Sequence, residues 1–296
     1  MTYGDGSGVS TTTILNGIGL SLNQVSADIM LDMPNNSVFL GQGGPALIDA
    51  AVIPAGATLS QRTLTARSAT ARTRGTDDGK AITFSALAGS KGSYTKRFAY
   101  DAFYLDYAAR NDMSDAEYRQ TIDAWIDAGK RALANDFDSQ ILALYSSAAS
   151  STGGAGIDVT TALLAEARKL LLVANAPRPN EYFAVLPATQ DDKLAQIAEL
   201  NNANVRGGGS APMVTNEQYS FHKMRIFTTG NVPTATSIAH GMVGSPDGVK
   251  VAIRDMPTVK IWDDPDTLSW KHAIYMDWAY VNTFNDWIVD FQTTDA

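Results

Sequence analysis

Four stretches of the sequence hold residue types that could do chemistry, and each stops short of a complete constellation. Gly41-Gln42-Gly43-Gly44-Pro45-Ala46 fits the loose dinucleotide pattern, in which glycines let backbone approach a pyrophosphate. Yet no Asp or Glu lies between residues 50 and 76 to hold a ribose, and no helical pattern follows. Gly75-Thr76-Asp77-Asp78-Gly79-Lys80-Ala81 is one residue short of a P-loop and lacks the Ser or Thr that would hold Mg²⁺. His222, His240 and His272 stand far apart, none with a second His or an acid at ligand spacing, and no Gly-x-Ser-x-Gly elbow accompanies them. They read as core or surface histidines. Asp263, Asp264 and Asp266 could bind Ca²⁺ weakly or serve as paired carboxylates, but Asp-Asp-Pro-Asp is equally an ordinary turn. The sequence therefore assigns no catalytic residue, no cofactor and no metal, and the expectation is a protein that is not an enzyme.

With no chemical centre to organise it, the chain must be read from its elements, and the longest runs from Ser114 to about Ala148. Ser114-Asp115-Ala116-Glu117 is a capping box, with Ser114 as N-cap and Glu117 reaching back from the third helical position. Tyr118, Ile122, Trp125, Ile126, Gly129, Leu133, Phe137, Ile141, Leu144 and Tyr145 follow in steps of three and four, with Asp123, Asp127, Lys130, Arg131 and Asp138 mostly between them. The pattern predicts one amphipathic helix of roughly nine turns, about 50 Å long at ~1.5 Å per residue. Such a helix is a beam across an elongated subunit.

Upstream, residues 1 to about 50 are rich in Gly, Ser, Thr and Asn and too sparse in apolar residues to build a core. They read as an arm that needs its own subunit or a neighbour to hold it. Residues 55 to 100 carry Asp77-Asp78-Gly79 between β-prone runs, the signal of a hairpin. Arms of about 15 residues give a ribbon of roughly 50 Å. It holds Arg62, Arg67, Arg72, Arg74, Lys80, Lys91, Lys96 and Arg97 against Asp77 and Asp78. Eight cations against two acids give +6, which leaves −14 on the rest of a chain of net charge −8. A lone two-stranded ribbon is marginal in water, so a basic one on an acidic protein calls for an acidic neighbour to lie on.

Phe98 to Tyr107 is an aromatic strand leading into the long helix, and Ser146 to Gly156 is a flexible joint. A helix capped by Asp158 and ending at Asn175, a strand over 182–186, a helix over 189–200, a Gly207-Gly208-Gly209 loop and strands over 223–228 and 249–253 then form a compact mixed unit. Thr258 to Trp262 and Leu268 to Gln292 are extended, and four of the five tryptophans lie after residue 260. These last segments are expected to pair with 98–107 in one sheet beside the long helix.

Composition bounds the partners. The 296 residues, 45 % apolar, suffice for a large core. The acidic balance argues against a general nucleic-acid binder, and the absence of cysteine excludes disulfide and thiolate chemistry. Neither a secretory signal nor an uncharged apolar run near 18 residues is visible, so a soluble protein made and used in a cytoplasm is expected.

Arm, basic hairpin, aromatic strand, long helix, compact mixed unit and terminal strands, in that order, resemble the major capsid proteins of tailed bacteriophages, the Hong Kong phage fold. Val259-Lys260-Ile261-Trp262-Asp263-Asp264, then Leu268-Ser269-Trp270-Lys271-His272 and Val281 to Val289, look like that family's closing strands. The resemblance covers almost the whole chain, in architecture rather than in invariant residues. It implies an α+β fold with residues 1–50 as N-terminal arm and 51–100 as extended β-hairpin loop. Residues 101–152 and 257–296 would form a peripheral domain with the spine helix, and 153–256 a mixed α/β axial domain. It also implies a structural coat protein that assembles with copies of itself, as hexamers and pentamers, into an icosahedral shell around phage double-stranded DNA. Scaffolding, portal and decoration proteins would be further partners, with no membrane involved. The location would be the virion, after assembly in the host bacterial cytoplasm. Arg62, Arg67, Arg72, Arg74, Lys80 and Lys91 are the expected assembly contacts. A family cross-link between a loop Lys and a neighbour's Asn would fall to Lys80 with Asn282 or Asn285, although nothing local marks them. The cleaved charged segment that opens many relatives is not visible, which implies separate scaffolding or a processed chain. Two other readings stand beside this one: an encapsulin-like shell for protein cargo, and a monomeric carbohydrate-active enzyme using the carboxylates of Asp263 to Asp266.

Overall fold

The start of the long helix is set by the expected capping box. In the computed structural model of the protein, Ser114 Oγ accepts the Glu117 backbone N–H at 3.3 Å, and the Glu117 carboxylate accepts the Ser114 N–H at 2.7 Å. The structure describes residues 37–40, 60–64, 89–197 and 220–295. Along the chain, strands β1 (Ser60–Leu64) and β2 (Gly89–Ser93) pair antiparallel, and β2 runs almost directly into β3 (Thr95–Asp106). Helix α1 (Tyr107–Asp112) then leads to the long helix α2 (Asp115–Leu142). Its 28 residues span about 42 Å. The expected continuation to Ala148 tightens instead into a 3₁₀ turn, Ala143–Ser147, a common way for a helix to satisfy its last carbonyls.

Beyond a short strand β4 (Ser150–Gly153), helix α3 (Thr161–Val173) is capped by Thr160, whose Oγ1 accepts the Leu163 N–H at 3.3 Å. The expected cap, Asp158, is two residues too early and pairs with Lys193 at 2.9 Å. Strand β5 (Phe183–Pro187) is wholly buried, and the helix expected over 189–200 is a 3₁₀ turn followed by α4 (Asp191–Gln196), with 198–200 outside the described residues. Next come β6 (Ser220–Phe221), β7 (Met224–Thr229), β8 (Thr234–Ala235) and β9 (Ile238–Gly244). Strand β10 (Val249–Asp264) is continuous where two strands were expected, joined across register shifts between Ile253 and Thr258. A bulge of this kind bends a strand without ending it. Strands β11 (Ser269–Asn282) and β12 (Ile288–Thr294) close the chain.

These strands form two main sheets. One has the order β10-β11-β3, all antiparallel, so the aromatic strand and the terminal strands do pair beside the long helix. The second has β4-β12-β9-β5-β7-β6, with β8 on β9. The expectation that 268–292 forms one extended member of the first sheet fails at its end. A 3₁₀ turn at Asn285–Trp287 breaks the stretch, and β12 crosses to lie parallel to β4 and antiparallel to β9. Ile288, Val289, Asp290 and Phe291 are all buried there, a continuous run suited to a sheet covered on both faces.

Helix α2 belongs to both sheets. Tyr118, Ile122, Ile126, Leu133 and Phe137 share one core with Val259, Ile261, Ile274, Met276 and Trp278 of the three-stranded sheet. The same core continues through Ile141 and Leu142 to Phe183, Val185, Met242 and Ile288 of the larger sheet. That sheet's other face is covered by α3, through Leu164, Ala167 and Leu171 against Tyr182, Ala184, Leu186, Val243 and Phe291. The approach is close at Gly129, where an added Cβ would lie 2.8 Å from Ile274 Cγ2 and 3.3 Å from Asp101 Oδ2. Gly129→Ala should therefore destabilise the protein by about 1–2 kcal/mol in urea unfolding, the overpacking of a stiff β-branched neighbour outweighing the ~1 kcal/mol gain in helix propensity.

His272 lies in this interface, fully buried, its ring stacked on Phe103 at 4.4 Å and its Nε2 sharing a hydrogen bond of 2.9 Å with the Tyr118 hydroxyl. Burial pulls its pKa down to about 4. The unfolded chain therefore takes up this proton more readily. The neutral imidazole's contribution is complete above about pH 6.5 and is lost as pH falls from there toward 4. Between pH 7 and 4.5, His272→Phe should remove about 2 kcal/mol of the parent's loss of unfolding free energy. An unchanged difference between the two pH values would contradict the assignment.

Candidate assembly surfaces

Strand β3 is the edge of the three-stranded sheet, and its residues alternate. Ala99, Asp101, Phe103 and Leu105 point toward α2, with the Trp125 indole N–H donating to Asp101 at 3.1 Å and Phe103 packed edge-on to Trp125. Phe98, Tyr100 and Tyr104 point the other way and are 57 %, 67 % and 67 % exposed. Register puts Tyr275 beside Tyr100, and Lys271 between Tyr104 and Trp262, on that same outer face. The rings form a loose array: Phe98 lies 6.1 Å from Tyr100 and 5.5 Å from Tyr275, and Lys260 Nζ sits 5.3 Å above the Tyr275 ring. Near Ala102, between Tyr104 and Trp262, the face dips into a cleft of about 200 Å³. Large contiguous apolar patches of this kind mark interaction surfaces. The strict alternation of this aromatic strand carries the signal that half of it faces outward.

The outer edge of this face is tied down at the start of β3, where Arg97 makes a two-point ion pair with Asp136 of α2, at 2.6 and 3.2 Å. Just upstream, the five pairs of β1 and β2 set Arg62 directly opposite Lys91, in a register centred between positions 76 and 77. Like charges at such a position destabilise a ladder unless an anion lies near. Of the expected contact residues, Arg67, Arg72, Arg74 and Lys80 lie outside the described residues, as do the Asp77-Asp78-Gly79 turn and the two glycine-rich motifs.

The other candidates serve the fold. Asp264 accepts from the Lys271 ammonium, the Thr267 hydroxyl at 2.9 Å and the Asp266 N–H at 3.2 Å, and the Lys271 hydrogen bond is the largest cause holding its carboxyl below the usual range. Asp263 accepts from the Tyr107 phenol. The acidic cluster is thus a turn whose carboxylates clasp β10, β11 and α1. His240 Nδ1 lies 3.1 Å from both Asp290 oxygens, with its ring stacked 4.2 Å from that of Tyr145. This ties β9 to β12 and to the turn after α2, and among the described residues no hydroxyl hydrogen-bonds to it. His222 stands at positive φ in the turn between β6 and β7. Asn282 Nδ2 donates to Asn285 at 2.8 Å. No described helix is long and apolar enough to cross a membrane.

No protein-family model matches the chain, and no curated protein matches it. Solved structures do match. One from Mycobacterium phage Che8 aligns over 80 % of this chain and 84 % of its own, at 20 % identity and a TM-score of 0.62. The capsid structure of cyanophage P-SCSP1u aligns over 84 % and 86 %, at 14 % identity and a TM-score of 0.58. The capsid of Ralstonia phage GP4 aligns over 84 % and 85 %, at 11 % identity and a TM-score of 0.57. The class is set by these alignments: an α+β chain with the fold of phage capsid structures. The resemblance read from the order of elements holds at the level of fold.

The outer aromatic face yields a direct test. Tyr100→Ser with Tyr104→Ser should cost the isolated subunit no more than ~1 kcal/mol in urea unfolding, because both rings are mostly in water. The same pair should reduce self-association in sedimentation velocity. Equal association by variant and parent would show that the face has no partner.

Proposed function

We propose that this chain is a major capsid protein, a structural coat subunit that assembles with copies of itself into the icosahedral head shell enclosing phage double-stranded DNA. The observation that carries this reading is the alignment of four-fifths or more of the chain with capsid structures from unrelated-looking sequences. In this reading residues 1–50 are the arm and 51–100 the extended loop. Helix α2 and the three-stranded sheet form the peripheral domain, and the larger sheet with α3 forms the axial domain that packs around five-fold and six-fold positions. In this reading residues 249–256 go with the peripheral unit and residues 288–294 with the axial one, a division supported by the sheets to which β10 and β12 belong.

The mechanism is assembly. The basic hairpin of one subunit lies on an acidic neighbour, with Arg62, Arg67, Arg72, Arg74, Lys80 and Lys91 giving register. Exposed ion pairs contribute only about 0–1 kcal/mol each. Cohesion therefore comes from apolar burial and β pairing repeated at every interface, and the aromatic face of the three-stranded sheet supplies such area. Acidic walls keep packaged DNA from sticking. Hexamers and pentamers are the building units, scaffolding, portal and decoration proteins the further partners, and the virion the final location after assembly in the host cytoplasm.

Sedimentation and negative-stain microscopy at moderate salt, on the intact chain and on a deletion of residues 61–84, test this. Particles, rings or capsomers from the intact chain with monomers from the deletion are expected. A compact monomer in both cases would sink the shell reading.

A further inference from the structure

Asp138 lies one turn before the end of α2 and is fully buried. Among the described residues no lysine or arginine neutralises it; its oxygens are satisfied by neutral donors. Ser37 Oγ donates to one oxygen at 2.6 Å and the Val38 N–H to the other at 2.9 Å. The Phe39 N–H and the Asn231 side chain lie near enough to the same carboxylate to favour its charged form. Ser37 Oγ also accepts the Leu40 N–H at 3.1 Å, so the turn at 37–40 offers its backbone N–H groups to an anion much as a helix start does. Phe39 is buried beside it, edge-on to Phe183 of β5 at 6.2 Å. Asn231, in the loop between β7 and β8, donates to Asn135 of α2 at 3.0 Å. Three parts of the chain thus converge on one carboxylate: the arm, the long helix and the larger sheet.

The physical consequence is cooperativity. A carboxylate in apolar surroundings persists only while it is paired or hydrogen-bonded. Burial pushes the Asp138 carboxyl up, and the donors of Ser37, Val38, Phe39 and Asn231 pull it back. If the 37–40 turn leaves, most of those donors and the Phe39 ring leave together. The remaining charge must then be hydrated, and the water has to enter between α2 and the larger sheet, near Phe183 and the loop that carries Asn231. Seating the arm and closing this joint are therefore one event rather than two.

We propose that Ser37–Leu40 and Asp138 form a latch that couples the N-terminal arm to the seat of α2 against the larger sheet. With the turn seated the joint is closed; with the turn withdrawn the joint loosens. The latch is a property of the single chain and does not depend on the assembly reading.

Hydrogen exchange followed by mass spectrometry on the full-length protein tests it. The decisive variant is Ser37→Ala, since the Ser37 hydroxyl touches only the arm turn and the carboxylate, far from Asn231 in sequence. Loss of this one charge-assisted donor, worth ~1.4 kcal/mol or about tenfold, should speed exchange at residues 38–40 and, several-fold, at 229–232. The capping box at 114–118 should exchange as in the parent. Asp138→Asn should give the same pattern with larger amplitude, and Ser37→Ala alone suffices if that variant does not fold. Faster exchange at 38–40 with 229–232 unchanged would reduce the contact to a local tether and overturn the latch. No change at either segment would overturn it as well.

Discussion

One helix has to be buried along two sheets at once, and most of the structure follows from that. A three-stranded sheet covered on a single face is close to the lower limit of independent stability. Strands β3, β11 and β10 therefore need the first three-quarters of α2 laid across them. The same apolar stripe continues past Phe137 into Ile141 and Leu142, which lie beneath Phe183, Val185 and Met242 of the larger sheet. A single core results, and neither sheet can shift without dragging the helix. The thin point at Gly129 and the stacked His272 lie where the helix comes close to the smaller sheet; Asp138 lies where it meets the larger one.

The polar atoms buried along this helix show how the constraint is met. The Trp125 indole N–H is satisfied by Asp101 across the interface, the Nε2 of His272 by Tyr118, and Asp138 by a turn about a hundred residues upstream. Each is a long-range hydrogen bond, and each fixes the rotation of the helix about its axis, because turning it by one residue would leave a buried donor or acceptor unpaired. Apolar burial makes the interface stable; these bonds make its geometry single-valued.

The sequence made the helix legible because every signal for it is local: a capping box at one end, three-and-four spacing through the middle and no proline. The alternation on β3 was equally local, with one face inward and one outward. What was not legible depends on partners distant in the chain. Ile288 to Phe291 read as a buried strand, but nothing in those residues says which sheet takes them. Asp138 looks like any acid between apolar positions until Ser37 is brought beside it. Asp158 and Thr160 are both good caps, and the choice between them was made by Lys193, thirty-odd residues on. The assembly contacts were predicted from charge alone; two of the six, Arg62 and Lys91, fall in the described hairpin base and lie opposite each other.

The distribution of ionisable groups argues in the same direction as the fold. An active site concentrates perturbed groups in a cleft with room for a substrate. Among the described residues the paired ionisable groups are instead spread through the fold, and several join two elements: Asp264 to Lys271 across a hairpin, Arg97 to Asp136 from strand to helix, His240 to Asp290 between β9 and β12, Asp138 from α2 to the 37–40 turn. On the outside the fold leaves the rings of Phe98, Tyr100 and Tyr104 on β3 largely uncovered. A chain that turns such rings outward is suited to association with its own kind, where each uncovered surface recurs on every copy and can be covered by the next.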